Sequence, residues 1–200
     1  PWSEPEQLWP KYTGSDTNFA PIILKNGSVI AIWRTWEDVR GSRCYLATGD
    51  QWNDTSTYKQ VMVELFPDLG PAGTEDPFLY VDPNGVYHAV FHHMYGYDTR
   101  YHWWLMAEGG HAYSLDGINW TYTGIAWGDP FDRKRGNVVN YTDGSTFRFT
   151  RRERPHLIFD DDGHVSHLIT AAQYGFGTNP GAANDNGDAS YTLVQEVAHA

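Results

Sequence analysis

Apolar and polar residues follow one pattern in three stretches of this chain. Ala20 opens APIILKNGSVIAIWR, Asp76 opens DPFLYVDPNGVYHAVFHH, and Arg154 opens RPHLIFDDDGHVSHLITA. Each stretch gives a proline, a short apolar run, a turn with Asn or Asp before glycine, and a second apolar run. Gly27, Gly85 and Gly163 end the turns KNG, DPNG and DDDG. Glycine there supplies positive φ and closes a tight hairpin. Val, Ile, Phe, Tyr and Leu flank the turns, as strands prefer. No segment sustains a helical period, so the pattern predicts an all-β chain.

A second element follows the hairpin. CYLATGDQWND (44–54) matches HAYSLDGINWTYT (111–123), each with a short strand, a small hydroxyl residue, Asp and then Trp. The match predicts that Trp52 and Trp120 pack between neighbouring sheets. The hairpin prolines stand 56 residues apart (21 to 77), then 78 apart (77 to 155), and the longer gap holds a loop over 128–147. Units of up to four strands at this period predict a β-propeller rather than a sandwich. PWSEPEQLWP then reads as the outer strand of a preceding blade, and DASYTLVQEVAHA (188–200) as a final strand. The expectation is a single propeller domain over residues 1–200, truncated on its N-terminal side, with about three blades in hand.

Composition narrows the partners. Net charge is 14 - 25 = -11, which argues against nucleic acid. With a mean hydropathy of -0.55 and no long apolar run, no membrane-spanning helix is expected. Nine Trp and thirteen Tyr suit neutral sugars, held by aromatic faces and hydrogen-bonding side chains. Cys44 is the only cysteine, so no internal disulfide can form. Asn26, Asn53, Asn119 and Asn140 stand in N-x-S/T sequons. They read as glycan sites in a eukaryotic secretory protein and as chance in a bacterium. The expected location is extracellular. No cofactor is expected. The Asp160–Asp162 run reads as a solvated turn, although such a turn can bind Ca²⁺.

Three motifs carry a family resemblance. EDPFLYVDPNG resembles an Asp-Pro strand start that holds an acidic residue in a central funnel. ERPHLIFDDDG resembles a Glu-x-Pro-His-Leu start that carries a general acid, and SLDGINW resembles a turn on outer strands. Together they resemble the five-bladed propeller glycoside hydrolases: arabinanases, xylosidases, levansucrases and invertases. The likeness covers most of the chain as pattern rather than identity. It implies that Glu153 is the general acid and Asp76 the second carboxylate, which tunes the acid or stabilises the transition state. A third carboxylate of that family acts as base or nucleophile. The matching strand start here falls at Ala20, which has no such chemistry. Either that stretch is a second blade and the base lies upstream of Pro1, or the site is inactive; we favour the first. Glu75 stands where invertase-like members carry Arg, which weakens a fructan-directed reading.

The chemistry suits these residue types. Glycoside hydrolysis needs one carboxyl to protonate the leaving oxygen and another carboxylate to activate water or attack. A buried setting and a second carboxylate keep the acid protonated. Strand alternation predicts that Arg152 and Arg154 face away from Glu153. Arg34, Glu75, His92, His93, His111 and His156 are candidates for binding sugar hydroxyls, against a structural role on polar strand faces. No metal site is expected, because no HExxH or close Cys/His spacing occurs. Trp103 and Trp104 are either a stacking platform or core. The rival functions are a propeller that binds carbohydrate without turnover and a sialidase-like site using Arg34, Arg40 and Arg151.

Overall fold

The computed structural model describes residues 4–9, 17–37, 41–66, 73–98, 103–128, 137–149, 151–173 and 190–197. Strands β1 (Thr17–Ile23), β2 (Val29–Glu37), β3 (Gly41–Gly49) and β4 (Lys59–Leu65) form a first sheet in chain order. Strands β5 (Thr74–Val81), β6 (Tyr87–Asp98), β7 (Trp103–Ser114) and β8 (Trp120–Trp127) form a second. A short hairpin pairs β9 (Val138–Asn140) with β10 (Thr146–Arg148). Strands β11 (Arg151–Phe159), β12 (Val165–Gln173) and β13 (Ser190–Glu196) form a third sheet. All these pairings are antiparallel.

The three predicted hairpins form, and one turn chemistry explains them. Gly27, Gly85 and Gly163 have φ of 87°, 83° and 84°. Their N–H groups donate to the carbonyls of Leu24, Asp82 and Asp160, three residues back. A type I turn followed by a left-handed residue matches strand twist, and glycine takes that position without a Cβ clash. The structure adds a fourth copy, Tyr141–Ser145, in which Gly144 has φ 83° and donates to Tyr141. The stretch expected to be a loop over 128–147 thus contains a hairpin. Its strands have only three residues each, too few to show an alternation.

The sheets stack like successive propeller blades, each inner strand lying on the sheet before it. β5 packs on β1, β2 and β3, while β11 packs on β5, β6 and β7. Ile32, Cys44, Leu65, Phe66, Leu79 and Phe91 fill the first interface, with Phe66 and Phe91 stacked at 4.5 Å. Burial pushes the Cys44 thiol up to about 12, so it stays protonated beside the Thr74 carbonyl. Val90, Trp127, Leu157 and Leu168 fill the second interface. On the third sheet, Ile158 and Val194 are 42% and 55% exposed. They lie on the face opposite Leu157 and Leu168, by strand alternation.

Two expectations change. Residues 4–9 form no strand; Trp9 instead packs on Phe19 and Trp33, covering the free face of the first sheet. Trp52 does not pack between sheets and is 55% exposed. Tyr58 takes the place opposite Trp120, four residues after an Asp whose carboxylate caps the turn (Asp54, Asp116). The sequence match paired the wrong aromatic because the first turn has three extra residues before Asp54: Thr48 pairs with Lys59 across ten residues, and Tyr113 with Thr121 across seven.

The tight interfaces give a test. A Cβ on Gly110 would meet the Phe91 ring at 2.3 Å, whereas one on Gly85 meets nothing within 4 Å and strains only φ. Gly110→Ala should lower stability by about 3 kcal/mol, the upper end of overpacking. Gly85→Ala should cost about 1 kcal/mol. Urea unfolding of both variants checks the order.

Candidate active site

The site is built by a bulge repeated at the start of each inner strand. On β5, Glu75 pairs with His92 and Phe78 with Val90, so Asp76 and Pro77 stand as one residue in excess. The same step separates Thr17 from Ala20 and Glu153 from His156. The residue after each paired one is left-handed: Asn18, Asp76 and Arg154 have φ of 52°, 51° and 55°. Such a bulge re-aims side chains, so neighbours such as Glu75 and Asp76 can serve one cluster. Pro77 and Pro155 fit there because the bulged residue needs no ladder N–H.

This register corrects the mapping of the first hairpin. The equivalents of Glu75–Asp76 and Glu153–Arg154 are Thr17–Asn18, not a pair ending at Ala20. Pro21 lies beyond its bulge, while Pro77 and Pro155 lie inside theirs, so aligning prolines shifts the first repeat by two positions. Asn18 was missed for that reason. Its signals are that Asn tolerates the left-handed region and that Asn18, like Asp76 and Arg154, stands nine residues before its turn glycine.

Equivalent residues touch across blades. Asn18 Nδ2 donates to Asp76 Oδ1 at 2.6 Å, and Arg154 Nε lies 3.9 Å from Asp76 Oδ2. Arg154 therefore turns toward the cluster, contrary to strand alternation, because the bulge falls on it. Arg152 does face away, buried and bonded to Thr170 and Gln195. Arg34 Nε donates to Ser42 Oγ at 2.8 Å, its NH1 group donates to Thr17 Oγ1 at 2.9 Å, and Nε sits 3.6 Å from Glu75 Oε2. His92 Nδ1 lies 3.1 Å from Glu75 Oε1 and 3.8 Å from Glu153 Oε2. A carboxylate cannot donate, so Nδ1 carries the hydrogen; Nε2 is buried without a partner.

The two adjacent carboxyls part company. Burial alone would raise Glu75, but the His92 hydrogen bond, the His92 charge and Arg34 together hold it below its ordinary range. Asp76 is pushed up to about 6, first by burial and then by the Glu75 charge. Among the described residues, Glu75, Asp76 and His92 are the group with a donor set for a metal ion, one atom of each lying within 4.8 Å of the others.

The structure brings together Arg34, Glu75, Asp76, His92 and Glu153, with Glu153 only 17% exposed. Other candidates lie elsewhere. His93 is buried on the opposite face of β6, its ring edge-on to Tyr122. His111 bonds His88 and Thr123, and burial followed by the His88 charge lowers it. His156 is exposed with its ring against Phe78. Arg40 and the side chains of Trp103, Trp104 and Arg151 fall outside the described residues.

No protein-family model matches the sequence, and no curated protein does. Solved structures resemble the fold. An endo-1,4-β-xylanase of Bacteroides thetaiotaomicron is 17% identical, with 98% of this chain and 58% of the xylanase covered at a TM-score of 0.56. A thermostable family-43 glycoside hydrolase is 10% identical, with 96% and 57% covered at 0.54. A GH32 β-fructofuranosidase of Bombyx mori is 12% identical, with 97% and 38% covered at 0.54. The chain thus spans less than two-thirds of each of these proteins. At such identities the likeness is one of fold. The chain is a partial β-propeller of the kind that propeller glycoside hydrolases use.

Asp76 predicts a pH dependence. Its folded value of about 6 lies above the ordinary 3.8, so the folded state binds more protons between the two. Stability should therefore fall as pH rises from about 4 to about 6, by up to about 3 kcal/mol, and then level off. Asp76→Asn should remove that decline and be the more stable form at pH above about 6. Urea midpoints across this range check it; an unchanged slope in the variant would contradict the assignment.

Proposed function

We propose that the whole protein hydrolyses glycosidic bonds of a poly- or oligosaccharide. The supporting observation is that Glu75 and Glu153 converge, across a blade interface, on the single nitrogen His92 Nδ1, with Asp76 in the same cluster. In this reading Glu153 protonates the leaving oxygen, and Asp76 stabilises the positive charge that develops on the sugar. Arg34, Glu75 and His92 hold hydroxyl groups of the bound ring. The first inner strand supplies Thr17 and Asn18, neither of which can act as a base. The reading therefore requires a further carboxylate from another blade of a five-bladed whole.

The fold likeness to a xylanase and to a family-43 hydrolase makes pentose-containing oligosaccharides the first substrates to try. In the same reading the protein works outside the cell and carries N-glycans on Asn26, Asn53, Asn119 and Asn140, all of which are exposed. The test uses the full-length protein with xylo-, arabino- and fructo-oligosaccharides. Glu153→Gln should reduce sugar release by about a hundred- to ten-thousand-fold with thermal unfolding unchanged. Retained activity would remove Glu153 from the mechanism. Binding of sugar by the unaltered protein without turnover would instead identify a carbohydrate-binding propeller.

A further inference from the structure

Arg154 stands at the edge of the carboxylate cluster with its hydrogen-bonding capacity unused. Its side chain is 71% exposed, against 10% for Asp76 and 17% for Glu153. Its Nε lies 3.9 Å from Asp76 Oδ2, close enough for an ion pair and too far for a hydrogen bond. Among the described residues its guanidinium has no hydrogen-bond acceptor. Other guanidiniums are occupied. Arg34 bonds Ser42 and Thr17, Arg43 bonds the Ser42 carbonyl and pairs with Glu64 at 3.0 Å, and Arg152 bonds Thr170 and Gln195.

The backbone holds Arg154 there against its own preference. Its φ is 55°, whereas a residue before proline is ordinarily extended, and Pro155 follows it. The equivalent bulge positions carry Asn18 and Asp76, residue types that tolerate positive φ better than arginine does. Strain of this kind persists only where the surroundings impose it, and it gathers at ligand-binding positions. The buried carboxylates do not account for the arginine. Glu75 already holds Arg34 and His92, and Asp76 accepts from Asn18. An ion pair with so exposed a partner adds little to stability. The bulge thus brings to the cluster a permanent positive charge that the fold itself leaves uncommitted.

We propose that Arg154 binds an anionic group of the sugar, a carboxylate or a sulfate ester, so that the substrate is an acidic oligosaccharide; this rests on the carbohydrate reading above. A guanidinium is planar, always charged, and presents its N–H groups as a fork that takes such oxygens two at a time. Arg154 adjoins Glu153, so a sugar unit seated at the cluster brings a substituent within its reach. The cluster's own negative charge does not bar the anion. Asp76 and Glu153 are far less exposed than the guanidinium, and Glu75 is paired with Arg34 and His92. The aromatic-rich composition suits the neutral part of such a chain, and Arg154 selects its charged substituent.

Calorimetric titration of the full-length protein tests this with three probes: a neutral xylo-oligosaccharide, the same chain bearing a glucuronic acid, and the same chain bearing a sulfate. An acidic probe should bind about 10- to 100-fold more tightly than the neutral one, by a margin that shrinks as salt is added. Arg154→Gln should bring that ratio to about one. Arg154→Asn should do the same with a residue type that suits the backbone, which separates lost recognition from lost folding. Arg154→Lys, a point charge without the fork, should keep part of the preference. Tighter binding of the glucuronate probe assigns the site to a uronate, and of the sulfated probe to a sulfate ester. Equal binding of all three, binding of none, or a preference that survives both neutral variants would overturn the proposal. Sugar release is measured separately. Its absence with the preference intact would remove the hydrolase reading and leave this one standing. Release from neutral and acidic probes alike, with equal affinities, would do the reverse.

Discussion

Two adjacent carboxyls can reach one cluster in this protein because the inner strand bulges between them. In a regular strand Glu75 and Asp76 would point to opposite faces. A left-handed residue other than glycine costs up to about 1–2 kcal/mol, least for Asn and Asp, so among Asn18, Asp76 and Arg154 the strain is greatest at Arg154. Contacts between blades offset it. The three strained residues are equivalent, and they touch in order: Asn18 to Asp76 at 2.6 Å, Asp76 to Arg154 at 3.9 Å. A second chain runs through the paired positions, from Thr17 by Arg34 to Glu75 and by His92 to Glu153. Arg34–Glu75 and His92–Glu153 step from one blade to the next, while Thr17–Arg34 and Glu75–His92 join paired strands within a blade.

The same links divide the charge unevenly. Glu75 receives both Arg34 and His92, so it ionises readily despite burial. Asp76 receives an uncharged amide at 2.6 Å and a guanidinium at 3.9 Å, while Glu75 stands beside it as a like charge. Two neighbouring carboxyls can thus be held apart in their readiness to ionise by their surroundings alone. Here the division follows from which residue precedes the bulge and which occupies it.

What could be read from the sequence was what is local. The three hairpins were legible because Asn/Asp-Gly turns fix their own geometry within five residues. Glu153 and Asp76 stood out because a proline marks each bulge. The equivalence of Asn18 was not legible from the prolines, since Pro21 sits two positions further along, although Asn18, Asp76 and Arg154 each stand nine residues before a turn glycine. Nor was the difference between His92 and His93, which pairing alone sends to opposite faces. The misplacement of Trp52 has a different origin from that of Ala20: residues added before Asp54 shift that turn, whereas in the first hairpin only the proline is displaced. Arg154 was assigned outward by an alternation that its own bulge interrupts.

Precision at the cluster derives from the blade interface rather than from loops. Ser42 has no exposed surface and sits where the first sheet meets the second. Its hydroxyl donates to the Thr74 carbonyl at 2.9 Å and accepts from Arg34 Nε at 2.8 Å. Its backbone bridges Gly73, where a Cβ would lie 2.0 Å from the Ser42 carbonyl oxygen. Thr74 is the residue before Glu75, so the hydroxyl that orients the guanidinium also anchors the strand bearing its carboxylate partner. Movement of one sheet against the other would therefore disturb packing and ion pair together. A charged group held by buried neighbours in this way keeps its geometry better than one carried on a loop. That is why an interface filled by Phe66 and Phe91 matters to the geometry of the carboxylate cluster.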